Sequence, residues 1–195
     1  KHIVIDRTLS TVPLFTGAFA DDPEGGGYGM LEQWVPRIRG NYISRLAGAD
    51  ALQGDGLVII CPTQLPGPDY REQLVDWVRS GGQLLVFDTP DVQDSTANSI
   101  LMLFGLTSIR NAPPLEDEPL RLADDSAETP LQNSCLIDGG EPIAIWGETS
   151  VAARITFGQG SVTAVGFGSL FNDANMGYHW LQEPDDEILG RYEVL

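Results

Sequence analysis

The first hundred residues alternate short apolar runs with segments whose apolar residues recur at helical spacing. The runs His2–Asp6, Leu57–Cys61 and Gln83–Phe87 have the length of strands. The last two are almost continuously apolar, which is typical of strands covered on both faces of a sheet. Because strands alternate with helices, we expect βαβ units and a parallel sheet.

Helical spacing of apolar residues predicts three helices in this part of the chain, within 31–38, 68–80 and 94–105. Pro36 lies inside the first pattern and marks a kink or a late start. Gly81-Gly82 ends the second helix. Asp94 or Ser95 caps the third, and Gly105 closes it. A short strand is expected at Asn41–Leu46.

The second half of the chain has a different pattern. Residues 111–150 hold nine acids, one arginine and five prolines, which predicts loops with short strands near Leu120, Leu136 and Ile143–Trp146. Two β-rich runs, Val151–Phe157 and Ser161–Phe167, flank Gly158-Gln159-Gly160, which indicates a hairpin. A terminal helix is expected at 185–195. Because the sequence shows no convincing linker, residues 1–195 are predicted to form a single domain.

Charge excludes several classes of partner and of chemistry. The 195 residues include 28 acids against 11 cations, a net charge of −17, which argues against nucleic acids and anionic membrane surfaces as partners. Lys1 is the only lysine. A Walker-A loop, a Schiff-base enzyme, a protein kinase and a receiver domain each need an internal lysine, so these classes are excluded.

The ends of the sequence suggest an excised piece of a longer protein. The sequence opens in a strand without an initiator Met and closes within a predicted helix. It contains no stretch of about 18 apolar residues, so no membrane span is expected inside it. We therefore expect a membrane anchor outside this segment and a soluble domain on the extracytoplasmic side. The two cysteines, Cys61 and Cys135, form no disulfide framework and leave their pairing open.

Several motifs resemble the class I glutamine amidotransferase-like superfamily, and within it an uncharacterised bacterial domain-of-unknown-function family. They are "DGLVIICPT" at 55–63, "WVRSGGQLLVFDTPD" at 77–91, the segment 95–105, and "FGQGSVTAVGFGSLFNDANMG" at 157–177. Related domains occur in gliding-motility accessory proteins and in the GIFT domain of intraflagellar transport. The resemblance implies an α/β, flavodoxin-like three-layer sandwich with a mostly parallel sheet and a β-rich C-terminal part.

The same resemblance implies a degenerate member without catalytic residues. Catalytic members place a cysteine in a Gly-x-Cys-x-Gly turn after the strand that corresponds to Gln83–Phe87. Here that turn reads Phe87-Asp88-Thr89-Pro90. The late His-x-Glu pair is also missing, and the late histidine is His179. We therefore expect no catalytic triad, no cofactor and no metal.

The ends of the predicted strands supply the candidate ligand-binding residues, because loops at the carboxyl ends of parallel strands line the ligand crevice. They are Asp6, Thr8, Ser10, Cys61, Thr63, Asp88 and Thr89. Asp6-x-Thr8-x-Ser10 resembles the Asp-x-Ser-x-Ser metal site of von Willebrand A domains, and such oxygen ligands suit Mg²⁺ or Ca²⁺. The alternative is that these side chains cap loops and helices.

Cys61 also has two interpretations. In the first, Cys61 is a nucleophile and His179 is its general base. In the second, Cys61 is a small buried residue at the end of its strand, as most free cysteines are.

Three functions follow from these patterns. The first is a non-catalytic ligand-sensing or protein-interaction domain of a membrane-associated bacterial protein. The second is an amidase or sugar-processing hydrolase in which Asp6 and Asp88 act as base and acid. The third is a metal-dependent adhesion module.

Overall fold

The computed structural model describes residues 1–12, 26–37, 40–110, 118–124, 128–176 and the positions 186, 190, 191 and 194. The predicted terminal helix at 185–195 and the candidate base His179 therefore lie outside the described residues. The helices within the described part are all too short or too polar to cross a membrane.

The described residues form eleven strands and four α-helices. The strands are β1 (His2–Asp6), β2 (Tyr42–Leu46), β3 (Gly56–Ile60), β4 (Gln83–Phe87), β5 (Thr107–Ile109), β6 (Pro119–Leu122), β7 (Glu128–Pro130), β8 (Leu136–Asp138), β9 (Glu141–Trp146), β10 (Thr149–Phe157) and β11 (Gly160–Val165). The helices are α1 (Gly29–Trp34), α2 (Pro68–Arg79), α3 (Asn98–Leu101) and α4 (Asp173–Met176). Short 3₁₀ turns occupy Val35–Arg37, Gly48–Gln53, Met102–Phe104 and Gly168–Phe171.

Nine of the strands form one mixed sheet in the order β2-β1-β3-β4-β11-β10-β9-β6-β7. The four ladders from β2 to β11 are parallel. The four ladders from β11 to β7 are antiparallel. The remaining strands, β5 and β8, form a separate antiparallel pair.

This architecture corrects the predicted fold class. A mostly parallel, flavodoxin-like sandwich is wrong, because half of the ladders in the main sheet are antiparallel. The physical reason is the connections in the second half of the chain. Only two residues separate β10 from β11 and β9 from β10, and such short links allow only antiparallel neighbours. The hairpin predicted at Gly158-Gln159-Gly160 is confirmed, with Phe157 opposite Gly160.

The core consists of two clusters, one on each face of the sheet, because successive side chains of a strand point to opposite faces. One face packs against α2 and α3 with Val4, Leu57, Ile59, Leu84 and Val86. The other packs against α1 and the turn Gly168–Phe171 with Ile5, Val58, Ile60, Phe87 and Val165.

The boundaries of α2 agree with the predicted helix within 68–80. The α1 helix ends before Pro36 instead of kinking or starting there, and α3 begins at Asn98 rather than after a cap at Asp94 or Ser95. The α1 helix ends at Trp34, and Pro36 lies in the 3₁₀ turn that follows. Proline has no N–H to continue an α-helix, so the chain tightens there. The α2 helix begins with Pro68 and ends before Gly81, whose φ is 120°. A side chain at Gly81 would strain this conformation, so glycine lets the chain turn into β4.

Candidate functional site

The candidate site lies at the carboxyl edge of the sheet. Strands β1, β3 and β4 are parallel neighbours, so their carboxyl ends meet at one edge. Asp6 ends β1, Cys61 follows β3 and Asp88 follows β4. Exposure of these three residues is 0%, 0% and 1%, which places them below the surface of the edge.

The Asp6 carboxylate organises its own turn. Its Oδ2 accepts hydrogen bonds from the backbone N–H of Thr8 at 3.1 Å and of Leu9 at 2.7 Å. Its Oδ1 accepts a long bond of 3.4 Å from the Tyr70 hydroxyl. Burial and then the Asp6 charge raise the pKa of Tyr70, so this hydroxyl keeps the proton that it donates. Asp6 is therefore an acceptor tied to backbone amides, the arrangement of an Asx turn.

The other oxygens of the Asp6-x-Thr8-x-Ser10 pattern are also engaged. Thr8 Oγ1 accepts from the N–H of Gly48 at 2.6 Å, and Ser10 Oγ accepts from the N–H of Ile60 at 2.9 Å. The described residues contain no group of three or more His, Cys, Asp or Glu side chains placed to hold a metal ion. The geometry therefore favours the capping interpretation of this pattern over a cation site.

Thr63 joins two loops at this edge. Its backbone N–H donates to the carbonyl of Leu9 at 3.0 Å, and its hydroxyl lies 3.0 Å from that of Thr11. The loop after β1 thus covers the end of β3.

The Asp88 carboxylate is held by groups from distant parts of the chain. Its Oδ1 accepts from the N–H of Thr89 at 2.9 Å and from the hydroxyl of Ser95 at 2.7 Å. Its Oδ2 accepts from the hydroxyl of Ser108 at 2.6 Å, and the Cys135 thiol lies 3.7 Å away. This network fills both carboxylate oxygens with donors and leaves little surface for a substrate.

Arg110 supplies the positive charge beside this carboxylate. Its Nη1 lies 3.7 Å from Asp88 Oδ1. Its Nη2 donates to the carbonyls of Thr89 and Pro90 at 3.0 and 3.2 Å, and also to that of Val92. One guanidinium therefore fixes the loop after β4 and partly balances the charge of Asp88.

Cys61 is buried in the core and holds an unusual backbone conformation. Its φ of 43° makes it the one non-glycine residue with positive φ among the described residues. Its Sγ lies 3.4 Å from the Tyr28 hydroxyl. Burial raises the pKa of the Cys61 thiol to about 12. The thiolate, which is the nucleophilic form, is therefore scarce at neutral pH.

The sequence places Asp6, Cys61 and Asp88 at the ends of neighbouring strands, but it does not predict the partners of Asp88. These partners are Ser108 in β5, Arg110 directly after β5, and Cys135 directly before β8. The pattern of apolar residues does not show that β5 pairs with β8. The cap predicted at Asp94 or Ser95 is wrong, since Ala97 precedes α3. The Ser95 hydroxyl instead accepts from the N–H of Ala97 and donates to Asp88.

Comparison with known proteins gives one family match. A family model described as "Domain of unknown function (DUF4350)" matches residues 20–180. No curated protein matches the chain.

Several solved structures share the fold. A mmIFT52 N-terminal domain has a TM-score of 0.64 at 13% identity and covers 97% of this chain and 93% of its own. The cytoplasmic protein STM3548 from Salmonella typhimurium has a TM-score of 0.58 at 11% identity, covering 92% of this chain and 89% of its own. Gan42B, a GH42 β-galactosidase from G. stearothermophilus, has a TM-score of 0.57 at 12% identity; 88% of this chain matches 28% of that enzyme. At these identities the likeness is one of fold alone.

These findings correct the resemblance proposed from sequence. The matching family model is not one of glutamine amidotransferases, and none of these three structures is described as one. The assignment to that superfamily and to GIFT or gliding-motility accessory domains is wrong. The reason is that the motif of Gly-Gly followed by an apolar strand marks only the end of α2 and the beginning of β4. Many proteins with alternating helices and strands share such a boundary.

Proposed function

The chain belongs to the family described as "Domain of unknown function (DUF4350)", and we propose that it is a non-catalytic ligand-sensing or protein-interaction domain. One observation carries this proposal: the two carboxylates at the carboxyl edge, Asp6 and Asp88, are buried and already occupied by donors of the chain. A general acid or base must reach the reacting atom of its substrate. Neither carboxylate presents an oxygen to solvent, so both serve as framework.

The state of the thiols supports the same proposal. Burial raises the pKa of both Cys61 and Cys135 to about 12. Reactive cysteines depend on a lowered pKa and on access to the substrate. A thiol that is buried and protonated at neutral pH acts as a small core residue.

Charge supports a protein or a small ligand, rather than nucleic acid, as the partner. The net charge of −17 would repel a phosphate backbone. Membrane association of the full-length protein, with the domain on the extracytoplasmic side, stays a prediction.

The proposal is tested with chromogenic p-nitrophenyl glycosides, esters and anilides, which cover the hydrolase alternative. We expect the wild-type protein to hydrolyse none of them faster than buffer. Asp6→Asn and Asp88→Asn serve as matched variants, because each keeps the size of the side chain. Hydrolysis by the wild-type protein that falls by about a hundredfold in either folded variant would overturn the proposal.

A further inference from the structure

A polar pocket of about 230 Å³ lies beside the Asp88 network at the same edge of the sheet. Its walls come from the loop after β4, the loop after β11 and the segment between β7 and β8. Strands β4 and β11 are parallel neighbours, so the pocket lies outside two adjacent carboxyl ends. The carboxyl ends of the strands are the side on which open α/β sheets bind ligands.

Side-chain amides dominate the polar groups of the pocket. Its hydrogen-bonding side chains include Asp91, Gln132, Asn133, Ser169, Asn172 and Asn175. Each amide offers both a donor and an acceptor. The guanidinium of Arg191 also lines the pocket and opposes the charge of Asp91. The pocket therefore offers hydrogen bonds in both directions and little net charge.

Internal bonds hold these amides in place. Asn133 Nδ2 donates to Asp91 Oδ1 at 2.9 Å, and Asn175 Nδ2 donates to the carbonyl of Ser169 at 2.7 Å. Asn172 Oδ1 accepts from the N–H of Asn175 at 2.9 Å. Within the described part of the chain, no partner is found for Asn133 Oδ1, Asn175 Oδ1 or Asn172 Nδ2. One end of each amide is thus fixed, and the other end has no partner among the described residues.

We propose that this pocket binds a small, neutral, polyhydroxylated molecule of the monosaccharide class. A hydroxyl group both donates and accepts, so it matches an array of amide ends. An apolar ligand would leave these polar groups without partners, which is unfavourable. Because Asp91 and Arg191 carry opposite charges, an ion of either sign would be attracted by one of them and repelled by the other, so the pocket gives neither sign a net advantage. The inference rests on the proposed binding function and specifies its ligand.

The test is a titration of the ¹⁵N-labelled full chain, followed by NMR of the side-chain amide signals. The probes are the methyl glycosides of glucose, galactose, mannose and N-acetylglucosamine. We expect saturable shifts in the amide signals of Asn133, Asn172 and Asn175 with at least one probe. No saturable shift with any probe, or saturable shifts only at amides outside the pocket, would overturn the inference.

Asn172→Asp is the most informative variant. It keeps an oxygen that can accept from the N–H of Asn175 and replaces the NH₂ donor with a second oxygen that shares a negative charge. We expect it to remain folded and to bind the probe about three- to tenfold more weakly, the usual loss for one neutral hydrogen bond. Gln64→Ala, at an exposed residue outside the pocket, should leave affinity unchanged. Equal affinity of wild type and Asn172→Asp would contradict the proposed orientation of the amides.

Two further probes separate this inference from the proposed function. Maltose and lactose are added to the same samples, and release of a free monosaccharide would overturn the non-catalytic function. Saturable binding of acetate or ethylammonium without binding of any glycoside would overturn the neutral-ligand inference alone.

Discussion

The ends of β1 and β4 carry the same buried residue and use it in different ways. Asp6 accepts from backbone groups two and three residues ahead, so most of its contacts stay within one turn. Asp88 accepts from Ser95 and Ser108, seven and twenty residues away, and lies beside Arg110. An aspartate at a strand end can therefore shape a local turn or join distant elements, and only its partners reveal which.

The largest effect is expected when the long-range network loses its centre. Asp88→Ala removes the acceptor of the buried Ser108 hydroxyl, of the buried Thr89 N–H and of the half-buried Ser95 hydroxyl. Each buried donor left unpaired costs about 1–3 kcal/mol, so we expect the free energy of unfolding to fall by about 3–5 kcal/mol. Urea denaturation measures it.

A matched control comes from the same loop. Asp94 is exposed, so Asp94→Ala should change the free energy of unfolding by less than about 0.5 kcal/mol. If Asp88→Ala costs no more than this control, the network does not hold the fold together and the contrast between the two strand ends disappears.

A smaller effect is expected at the local end. Asp6→Ala leaves the N–H groups of Thr8 and Leu9 without their acceptor, at a cost of about 1–3 kcal/mol. Asp55 is the matched control, because its carboxylate accepts from the N–H of His2 in an exposed setting. We expect Asp55→Ala to be nearly neutral.

Hydrogen exchange shows how far the effect of each aspartate extends through the structure. Asp6→Ala should speed exchange mainly at Thr8 and Leu9, whereas Asp88→Ala should speed it across β4, β5 and β8. Faster exchange over the same wide region in both variants would show that Asp6 is also part of a long-range network.

The two halves of the main sheet differ in how far sequence could predict them. In the parallel half, β1, β3 and β4 are five-residue runs bounded by turn signals, and their positions were predicted to within a residue at each end. In the other half, β6 and β7 have four and three residues, too few to show a period. Their register depends on contacts between distant segments, which a local pattern does not encode. The expectation of a mostly parallel sheet failed because short links join β9, β10 and β11, and because β6 and β7 pair through such distant contacts.

The same limit applies to the candidate site. Asp6 and Asp88 were placed at one edge because each ends a predicted strand. The partners of Asp88 could not be predicted, because Ser108 belongs to a three-residue strand and Cys135 lies 47 residues away. The positive φ of Cys61 also has no signature in its residue type.

The smallest effect at neutral pH concerns the two thiols. Burial is the main cause that raises the pKa of Cys61 and Cys135 to about 12, from an ordinary value of 9.0. In the unfolded chain each thiol ionises near 9.0, whereas in the folded protein it stays protonated. Below this pH the thiols do not affect the pH dependence of stability. As pH rises from about 9 to about 12, ionisation favours the unfolded chain and stability is lost.

Cysteine variants isolate this contribution from other groups that titrate at high pH. We expect the difference in unfolding free energy between wild type and Cys61→Ala to shrink as pH rises from 9 to 12, and likewise for Cys135→Ala. Iodoacetamide gives an independent measurement. At pH 8 both thiols of the folded wild type should be alkylated far more slowly than those of the urea-unfolded chain, since alkylation requires a solvent-accessible thiolate. Rapid alkylation of Cys61 in the folded protein would instead identify an accessible nucleophile after β3 and contradict a framework role for this edge of the sheet.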